Sequence, residues 1–185
     1  MTVEEYISGI ESALRSLKAE EINKVVEILL DTFRNGHTLF LCGNGGSAST
    51  ASHLVCDFQK SVVDKQGRHF RAVALTDSMP LITAWSNDFD YSRVFAEQLS
   101  ALAVPGDVLL AISGSGSSKN VILAVERANE MGLTTIGFAG YQGGLLKQKA
   151  QHCIVVPSNN MQQIEDVHLL LGHLIFSIVR DLLAE

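Results

Sequence analysis

The sequence predicts an α/β fold in which helices cover both faces of a five-stranded parallel sheet. Five short, continuously apolar runs alternate with segments of helical periodicity. Strands that are apolar throughout are typical of parallel sheets buried on both sides. Two glycine-rich loops each join an apolar run to a helix, so both should open at the carboxyl edge of the sheet, where ligands of such folds bind. The 185 residues fit one domain without a linker or repeat.

Composition limits the classes of function. Hydrophobic residues make up 46% of the chain, and the mean hydropathy is +0.20, which predicts that some apolar surface is used in subunit contacts. The net charge of -6, without a run of more than two basic residues, argues against direct binding of nucleic acid or an anionic membrane. Cys42, Cys56 and Cys153 lack C-x-x-C spacing, which suits a reducing cytoplasm. The apolar segment from His168 to Val179 is predicted to be a buried helix, since it is shorter than a membrane span.

Two helices are predicted before the first strand. Thr2 and Glu5 have the spacing of a capping box, and apolar residues then recur at helical intervals. The second helix is expected to stop at Asn35-Gly36. We expect residues 1–36 to supply surface through which subunits pack, and residues 37–185 to form the α/β core.

Strands and helices alternate through this core. Strands are predicted at Thr38–Cys42, His69–Leu75, Val108–Ile112, Thr134–Phe138 and Cys153–Val156. Helices are predicted at Ala48–Lys60, around Trp85, at Val94–Leu102, from Val121 to about Met131 and at Gln162–Leu183. Turns or loops are expected at Asn87-Asp88, Pro105-Gly106-Asp107 and Gly140–Gly144.

The serine-rich loop from Ser113 to Ser118 indicates an anion site. It lies between a predicted strand and the start of a helix, where unpaired backbone N–H groups and the helix dipole attract negative charge. Its hydroxyls can donate to phosphate oxygens. The alternative is a flexible surface turn in which Ser118 is an ordinary N-cap. The pattern lacks the lysine of a P-loop, so a nucleoside triphosphate is not the first expectation.

A second group of residues could bind a metal ion. His53 and Asp57 lie four apart on one helix face, while Glu165, His168 and His173 share the last helix, where His168 and His173 cannot both face one small site. Two imidazoles and two carboxylates suit zinc or a similar divalent ion. Glu165 and His173 are about 12 Å apart along an ideal helix, so both would have to lean inward. The alternatives are a hydrogen-bonded core histidine and a solvated His–Asp pair.

Four ordered motifs carry a resemblance to a known family. They are the Gly43–Ser47 loop with His53, the Asn87-Asp88-Phe89 turn, the segment from Ala111 to Val121, and the segment from Ile164 to His168 with His173. Together they resemble the sugar isomerase (SIS) domain and, within it, the phosphoheptose isomerases. The resemblance spans essentially the whole chain, including the two leading helices.

The resemblance implies a three-layer α/β/α sandwich of flavodoxin-like type and a cytoplasmic homotetramer with active sites at subunit interfaces. It implies conversion of sedoheptulose 7-phosphate to D-glycero-D-manno-heptose 7-phosphate, through an enediol(ate), for lipopolysaccharide-type heptose synthesis. One zinc ion per site and no nucleotide cofactor are expected.

The resemblance also assigns roles to single residues. By motif position, Ser113, Ser115 and Ser118 would hold phosphate, and Asn44, Ser47 and Asp88 would contact the sugar. The zinc ligands would be His53, Asp57, Glu165 and His173, two of which would also supply the acid and the base; our candidates for the catalytic residues are Asp57, Glu165 and His173.

The chain departs from the family pattern at several positions. Asp57 stands where the family has glutamate, and Glu165 where it has glutamine. Other departures are Thr50, Ser52, Gly114 in place of a threonine, and Gln162 where many members have aspartate. We hypothesise that the first two changes compensate each other and that Glu165 shares or takes over the proton shuttle.

Two main interpretations follow from the resemblance, beside the alternatives of another phosphosugar isomerase and of a paralogue in antibiotic or capsule sugar synthesis. The first is an aldose–ketose isomerase acting on sedoheptulose 7-phosphate or a related phosphosugar. The second is a non-catalytic member of the fold, either a sugar-phosphate sensor or an adaptor of the kind that binds a replication initiator. The set of two histidines and two acids favours the enzyme, because an adaptor does not need it.

Overall fold

The computed structural model describes residues 1–184 and contains a five-stranded sheet. The strands are β1 (Leu39–Cys42), β2 (Ala72–Ala74), β3 (Val108–Ser113), β4 (Thr134–Gly140) and β5 (His152–Val156). All neighbouring pairs are parallel, in the order β2-β1-β3-β4-β5. The predicted parallel sheet is therefore confirmed.

Helices surround the sheet. They are α1 (Val3–Arg15), α2 (Ala19–Arg34), α3 (Gly46–Ser61), α4 (Met79–Asp88), α5 (Ala96–Leu102), α6 (Lys119–Glu130), α7 (Gly144–Lys149) and α8 (Met161–Ala184), with a 3-10 turn at Tyr91–Arg93.

Side chains of successive strand residues point to opposite faces of the sheet. Leu39 and Leu41 join a core formed with α2, α3 and α8, whereas Phe40 and Cys42 join a second core formed with α5, α6 and α7. The molecule has the three layers that were predicted.

The two N-terminal helices differ in how far they enter the core. The capping box of α1 is confirmed, because the Glu5 N–H donates to Thr2 Oγ1 over 3.2 Å and the Thr2 N–H donates to Glu5 Oε2 over 2.7 Å. Helix α1 keeps Val3 and Ile7 exposed, whereas α2 buries seven residues, including Leu29 and Phe33. Helix α2 is thus part of the core rather than only an added surface, and a role for residues 1–36 in subunit packing stays a prediction.

Helix α8 is longer than the apolar segment recognised in the sequence. Its 24 residues have a mean hydropathy of 1.6 over the most apolar window, so by length and composition alone it could cross a membrane. Core helices of soluble proteins pass the same test. Nine residues of α8 are buried, and the helix contacts α1, α2, α3, β4 and β5. This packing agrees with the predicted buried helix.

Three local predictions differ from the structure. Strand β2 is shorter than His69–Leu75, because the Phe70 N–H donates to the Val62 carbonyl and Val63 pairs with His69 in an antiparallel bridge. The Asn87-Asp88 pair lies in the last turn of α4 rather than in a turn of its own. The short helix α7 begins inside a segment that was expected to be a loop.

Candidate active site

The two glycine-rich loops bring two helix N-termini to the carboxyl edge of the sheet. The loop after β1 leads into α3 through Gly45, whose φ of +55° favours glycine. Gly43 lies so close to α3 that a Cβ atom there would be 2.8 Å from the Ser47 backbone. The loop after β3 leads into α6, whose first residue, Lys119, follows the serine loop. Unpaired N–H groups at both helix starts favour an anionic ligand.

The serine loop is held in a fixed shape. The Gly116 N–H donates to the Ser113 carbonyl over 2.9 Å, and Gly116 has a φ of +64°. A Cβ atom on Gly116 would lie 2.1 Å from the Gly143 carbonyl oxygen, so a side chain cannot be accommodated without moving backbone. The Ser113 hydroxyl lies 3.5 Å from that of Ser115 and 3.3 Å from that of Ser118. The Ser113 hydroxyl thus lies close to both of the others, an arrangement in which all three could donate to one anionic group.

A small pocket of about 110 Å³ joins the two loops. Its lining includes most of the residues that sequence analysis assigned to substrate binding, together with one predicted metal ligand: Asn44, Ser47, Ser113, Ser115, Ser118 and Glu165. Gly114 and Met161 complete one wall. A Cβ atom on Gly114 would lie 2.4 Å from Met161 Sδ, so the thioether fills the space that a side chain at position 114 would occupy.

Three of the four predicted metal ligands form a cluster outside this pocket. The nitrogen and oxygen atoms of His53, Asp57 and His173 that could bind an ion all lie within 4.8 Å of one another. The two Nε2 atoms are 2.8 Å apart, and Asp57 Oδ2 lies 3.3 Å from His53 Nε2 and 3.5 Å from His173 Nε2. Asp57 Oδ2 is buried, and none of residues 1–184 donates a hydrogen bond to it.

This cluster fits a divalent cation. A buried carboxylate oxygen without a hydrogen bond is costly unless a cation or another donor satisfies it. Two imidazole nitrogens and one carboxylate oxygen are donors that zinc accepts. His53 and His173 are about half exposed, so the cluster is open on one side.

Close packing of two helices produces the cluster. Gly172 on α8 faces α3, and a Cβ atom there would lie 2.5 Å from Leu54 Cδ2. The glycine therefore admits the Leu54 side chain of α3. Since His53 adjoins Leu54 and His173 adjoins Gly172, this contact brings the two imidazoles together.

Glu165 lies near the beginning of the same pair of helices. Its carboxylate faces the start of α3, where a Cβ atom on Gly46 would be 2.6 Å from Glu165 Oε2. The three-residue cluster of His53, Asp57 and His173 does not include it. The structure thus places Glu165 in the serine-lined pocket, and its assignment as a fourth metal ligand stays a prediction.

Two further residues from the sequence analysis lie apart from the cluster. The Asp88 carboxylate is exposed at the end of α4 and accepts a hydrogen bond from the Asn87 side chain over 2.8 Å. His168 is 1% exposed and faces the sheet, where its Nε2 donates to the Ala139 carbonyl over 3.1 Å. Burial lowers the pKa of His168 to about 4, so it is neutral at pH 7. As predicted, His168 and His173 do not share a site.

A larger groove of about 620 Å³ lies beside the edge strand β2. Thr38, Phe40, His69, Arg71 and Leu102 are among the residues that line it. Both the serine loop and the cluster of His53, Asp57 and His173 lie outside this lining. Because the reactive groups converge elsewhere, chemistry rather than volume identifies the candidate site.

Sequence reasoning missed three residues that contribute to the pocket. Met161 closes one wall, and Asn120 and Tyr91 bind the Asn44 side chain. Asn120 stood within a motif, in the first turn of the helix that follows the serine loop, but had no role. Spacing along the chain gave no sign of Tyr91 or Met161, because tertiary packing alone brings them to the pocket.

Comparison with known proteins agrees with this geometry. Residues 4–140 match the SIS domain. A phosphoheptose isomerase from Roseiflexus sp. (strain RS-1) is 39% identical over 99% of this chain and 93% of its own. The solved phosphoheptose isomerase of Neisseria gonorrhoeae has a TM-score of 0.87 and 32% identity, over 95% of this chain and 93% of that one. The one of Francisella tularensis has a TM-score of 0.88 and 30% identity, over 96% and 94%. The chain therefore belongs to the phosphoheptose isomerase family of SIS-domain proteins.

Proposed function

We propose that this protein is an aldose–ketose isomerase that converts sedoheptulose 7-phosphate to D-glycero-D-manno-heptose 7-phosphate. The observation that carries the proposal is the position of two sites along α3 and α8. A hydroxyl-lined pocket lies at their beginning, and the cluster of His53, Asp57 and His173 lies about two helical turns further on. The names of the relatives support the same reaction.

The serine loop would hold the substrate's phosphate. Ser113, Ser115 and Ser118 offer hydroxyl donors, and the N-terminus of α6 adds backbone N–H groups. Phosphate binding at a distance from the reacting carbons supplies energy that positions them. Asn44 and Ser47 line the same pocket and would contact the sugar chain, and Asp88 is proposed as a third contact.

The reaction requires two proton transfers at carbon, together with the net movement of one proton from the C1 hydroxyl to the C2 oxygen. A base removes a proton from C1, next to the C2 carbonyl, and gives an enediol(ate); a proton is then delivered to C2. Asp57 and Glu165 are the candidate carboxylates for these transfers, and a ring nitrogen of His173 that does not bind zinc would exchange protons with the two sugar oxygens. Glu165 lies in the pocket itself, which supports a part in the proton shuttle.

His53, Asp57 and His173 would hold a zinc ion, with Glu165 as a proposed fourth ligand. When bound, zinc would polarise the carbonyl and stabilise the negative charge that develops on oxygen. The free buried oxygen of Asp57 supports this assignment. Glu165→Gln separates the two roles of that residue, since an unchanged turnover number would exclude it from the proton shuttle.

We propose that the active form is a cytoplasmic homotetramer. Every residue of α4 keeps part of its surface exposed, including Met79 and Leu81, and Phe89 and Tyr91 follow with more than half of their surface exposed. Apolar surface of this kind is typical of subunit contacts. Light scattering coupled to size-exclusion chromatography measures the assembly state.

Incubation of the protein with sedoheptulose 7-phosphate tests the proposed function. Zinc-loaded protein should form the aldose 7-phosphate and incorporate solvent deuterium at the carbon next to the carbonyl. Chelator treatment should abolish both, and zinc should restore them. His152→Ala serves as a control, since this histidine lies on β5 away from the cluster. A folded, zinc-loaded protein that shows neither turnover nor exchange would exclude this substrate and favour the sensor or adaptor interpretation.

A further inference from the structure

A pair of asparagines joins the two loops that form the pocket. Asn44 follows β1, and Asn120 lies in the first turn of α6 with 3% of its surface exposed. The Asn44 Nδ2 donates to Asn120 Oδ1 over 2.8 Å, and the Asn120 Nδ2 donates to Asn44 Oδ1 over 2.8 Å. The two side-chain amides therefore form a reciprocal pair between the glycine loop and the serine loop.

Backbone contact fixes the orientation of this pair. The Val121 N–H donates to Asn120 Oδ1 over 3.0 Å. A flipped Asn120 amide would direct an NH₂ group at that N–H, so Oδ1 must stay where it is. The reciprocal pair then fixes the Asn44 amide as well, because its nitrogen must face Asn120 Oδ1 and its oxygen must face Asn120 Nδ2.

Tyr91 completes the constraint on Asn44. Its hydroxyl lies 2.7 Å from Asn44 Oδ1 and donates to it. An amide oxygen accepts two good hydrogen bonds, and Asn120 and Tyr91 supply both. One N–H of the Asn44 amide is bound to Asn120, which leaves a single N–H for a ligand in the pocket that Asn44 lines.

We infer that Asn120 and Tyr91 are positioning residues that present Asn44 to the substrate as a hydrogen-bond donor only. The inference rests on the proposed isomerase function. A fixed donor suits a substrate oxygen that gains negative charge during the reaction, because no reorientation of the amide is needed. It does not suit a hydroxyl that must donate its proton to Asn44.

A double-mutant cycle tests whether Asn120 acts through Asn44. Asn44→Ala should lower kcat by roughly 100-fold, the usual loss for a preorganised donor. Asn120→Ala should lower kcat by about tenfold with little change in KM, and Tyr91→Phe by about threefold, since each removes part of the constraint on that donor. In the Asn44→Ala background, either change should cost less than about twofold, because residues that act as a unit are not additive.

Asn129→Ala is the matched control. Asn129 lies at the other end of α6, where its amide binds the Lys149 carbonyl and the Thr135 hydroxyl. It should lower the unfolding midpoint and leave kcat unchanged. If Asn120→Ala and Asn44→Ala instead multiply their losses, or if Asn120→Ala behaves like the control, the positioning role is overturned.

Nuclear magnetic resonance of the side-chain amides separates this inference from the proposed reaction. Absence of turnover by the wild-type protein would contradict the proposed function alone. The pairing predicts that one Asn44 amide proton is protected from exchange and the other is not, and that Tyr91→Phe shifts both signals. The signals are assigned by their loss in Asn44→Ala. Two Asn44 amide protons that exchange equally fast would overturn the inference, whatever the activity.

Discussion

Two aspartates at opposite ends of the fold use their carboxylates in different ways. Asp107 precedes β3 at the amino edge of the sheet, where its two oxygens accept the backbone N–H groups of Thr38 over 2.8 Å and Val104 over 2.9 Å. Asp57 lies on α3 beside two imidazoles, and its buried Oδ2 receives no hydrogen bond from any residue in 1–184. The hydrogen-bonding capacity of Asp107 is used within the protein, whereas Asp57 Oδ2 has only the two imidazoles nearby and remains able to accept a ligand.

The two carboxylates therefore suit different roles, one in stability and one in binding a ligand. A satisfied buried carboxylate ties chain segments together, and its removal leaves donors unpaired. An unsatisfied one retains its capacity to bind a cation. Substitutions at the two positions should therefore affect different measured quantities.

The largest expected effect is on catalysis at Asp57. Asp57→Asn keeps the volume of the side chain but removes its charge, and it should lower kcat/KM by roughly 10²- to 10⁴-fold. Zinc content should fall as well, as measured by atomic emission on dialysed protein. The unfolding midpoint of the metal-free protein should stay unchanged. A variant with more than half of the wild-type activity would contradict the role of Asp57.

At Asp107 the effect should appear in stability. Asp107→Ala leaves the buried Thr38 N–H and the part-buried Val104 N–H without an acceptor, which should lower the free energy of unfolding by about 2 kcal/mol. Urea denaturation measures this loss, and kcat of the folded fraction should change less than about twofold. Asp181→Ala is the control, since that carboxylate is 65% exposed and should contribute less than about 1 kcal/mol. A tenfold loss of kcat in folded Asp107→Ala would remove the contrast between the two ends.

His168, which is buried on α8, should make the free energy of unfolding depend on pH. Its folded pKa of about 4 lies below the value of 6.5 for an exposed histidine, so the unfolded chain binds more protons between these values. Stability should therefore fall as the pH drops from 6.5 towards 4. The loss between pH 7.5 and pH 5 should be about 2 kcal/mol.

Comparison with a variant isolates the histidine. The glutamine of His168→Gln can still donate to the Ala139 carbonyl but does not titrate. Between pH 7.5 and pH 5 the unfolding free energy of the variant should therefore fall by about 2 kcal/mol less than that of the wild-type protein. Urea denaturation of both proteins at pH 5 and pH 7.5 gives the difference. Equal pH dependence in the two proteins would show that His168 does not titrate in this way.

The smallest effects on stability and on KM are expected at the pocket wall that Gly114 and Met161 form. Gly114→Thr places a side chain where Met161 Sδ lies, which should cost about 1 kcal/mol as the flexible thioether moves aside into the pocket. KM for the sugar phosphate should rise several-fold in consequence. Adding Met161→Ala should recover most of the loss. If the second change gives no recovery, the rise in KM has a cause other than this contact.

The sequence alone predicted the sheet and most of the residues that line the pocket. Apolar runs and glycine loops predicted five parallel strands, because buried strands and helix starts have local signals. Ser113, Ser115 and Ser118 could be assigned since they lie within one loop. The pairing of His53 with His173 was reached by resemblance, whereas its cause, the contact of Gly172 with Leu54, lies in helix packing. Tyr91 and Asn120 depend on contacts between distant segments, for which periodicity has no signal.

The same contact ties the performance of the enzyme to the condition of its interior. Leu54 is fully buried, and its fit against Gly172 sets the distance between the imidazoles of His53 and His173. A slight swelling of the core would separate α3 from α8 and pull the two nitrogens apart while most of the secondary structure persists. During warming, turnover should therefore fail at a lower temperature than the one at which the chain unfolds, because activity depends on the packing of α3 against α8.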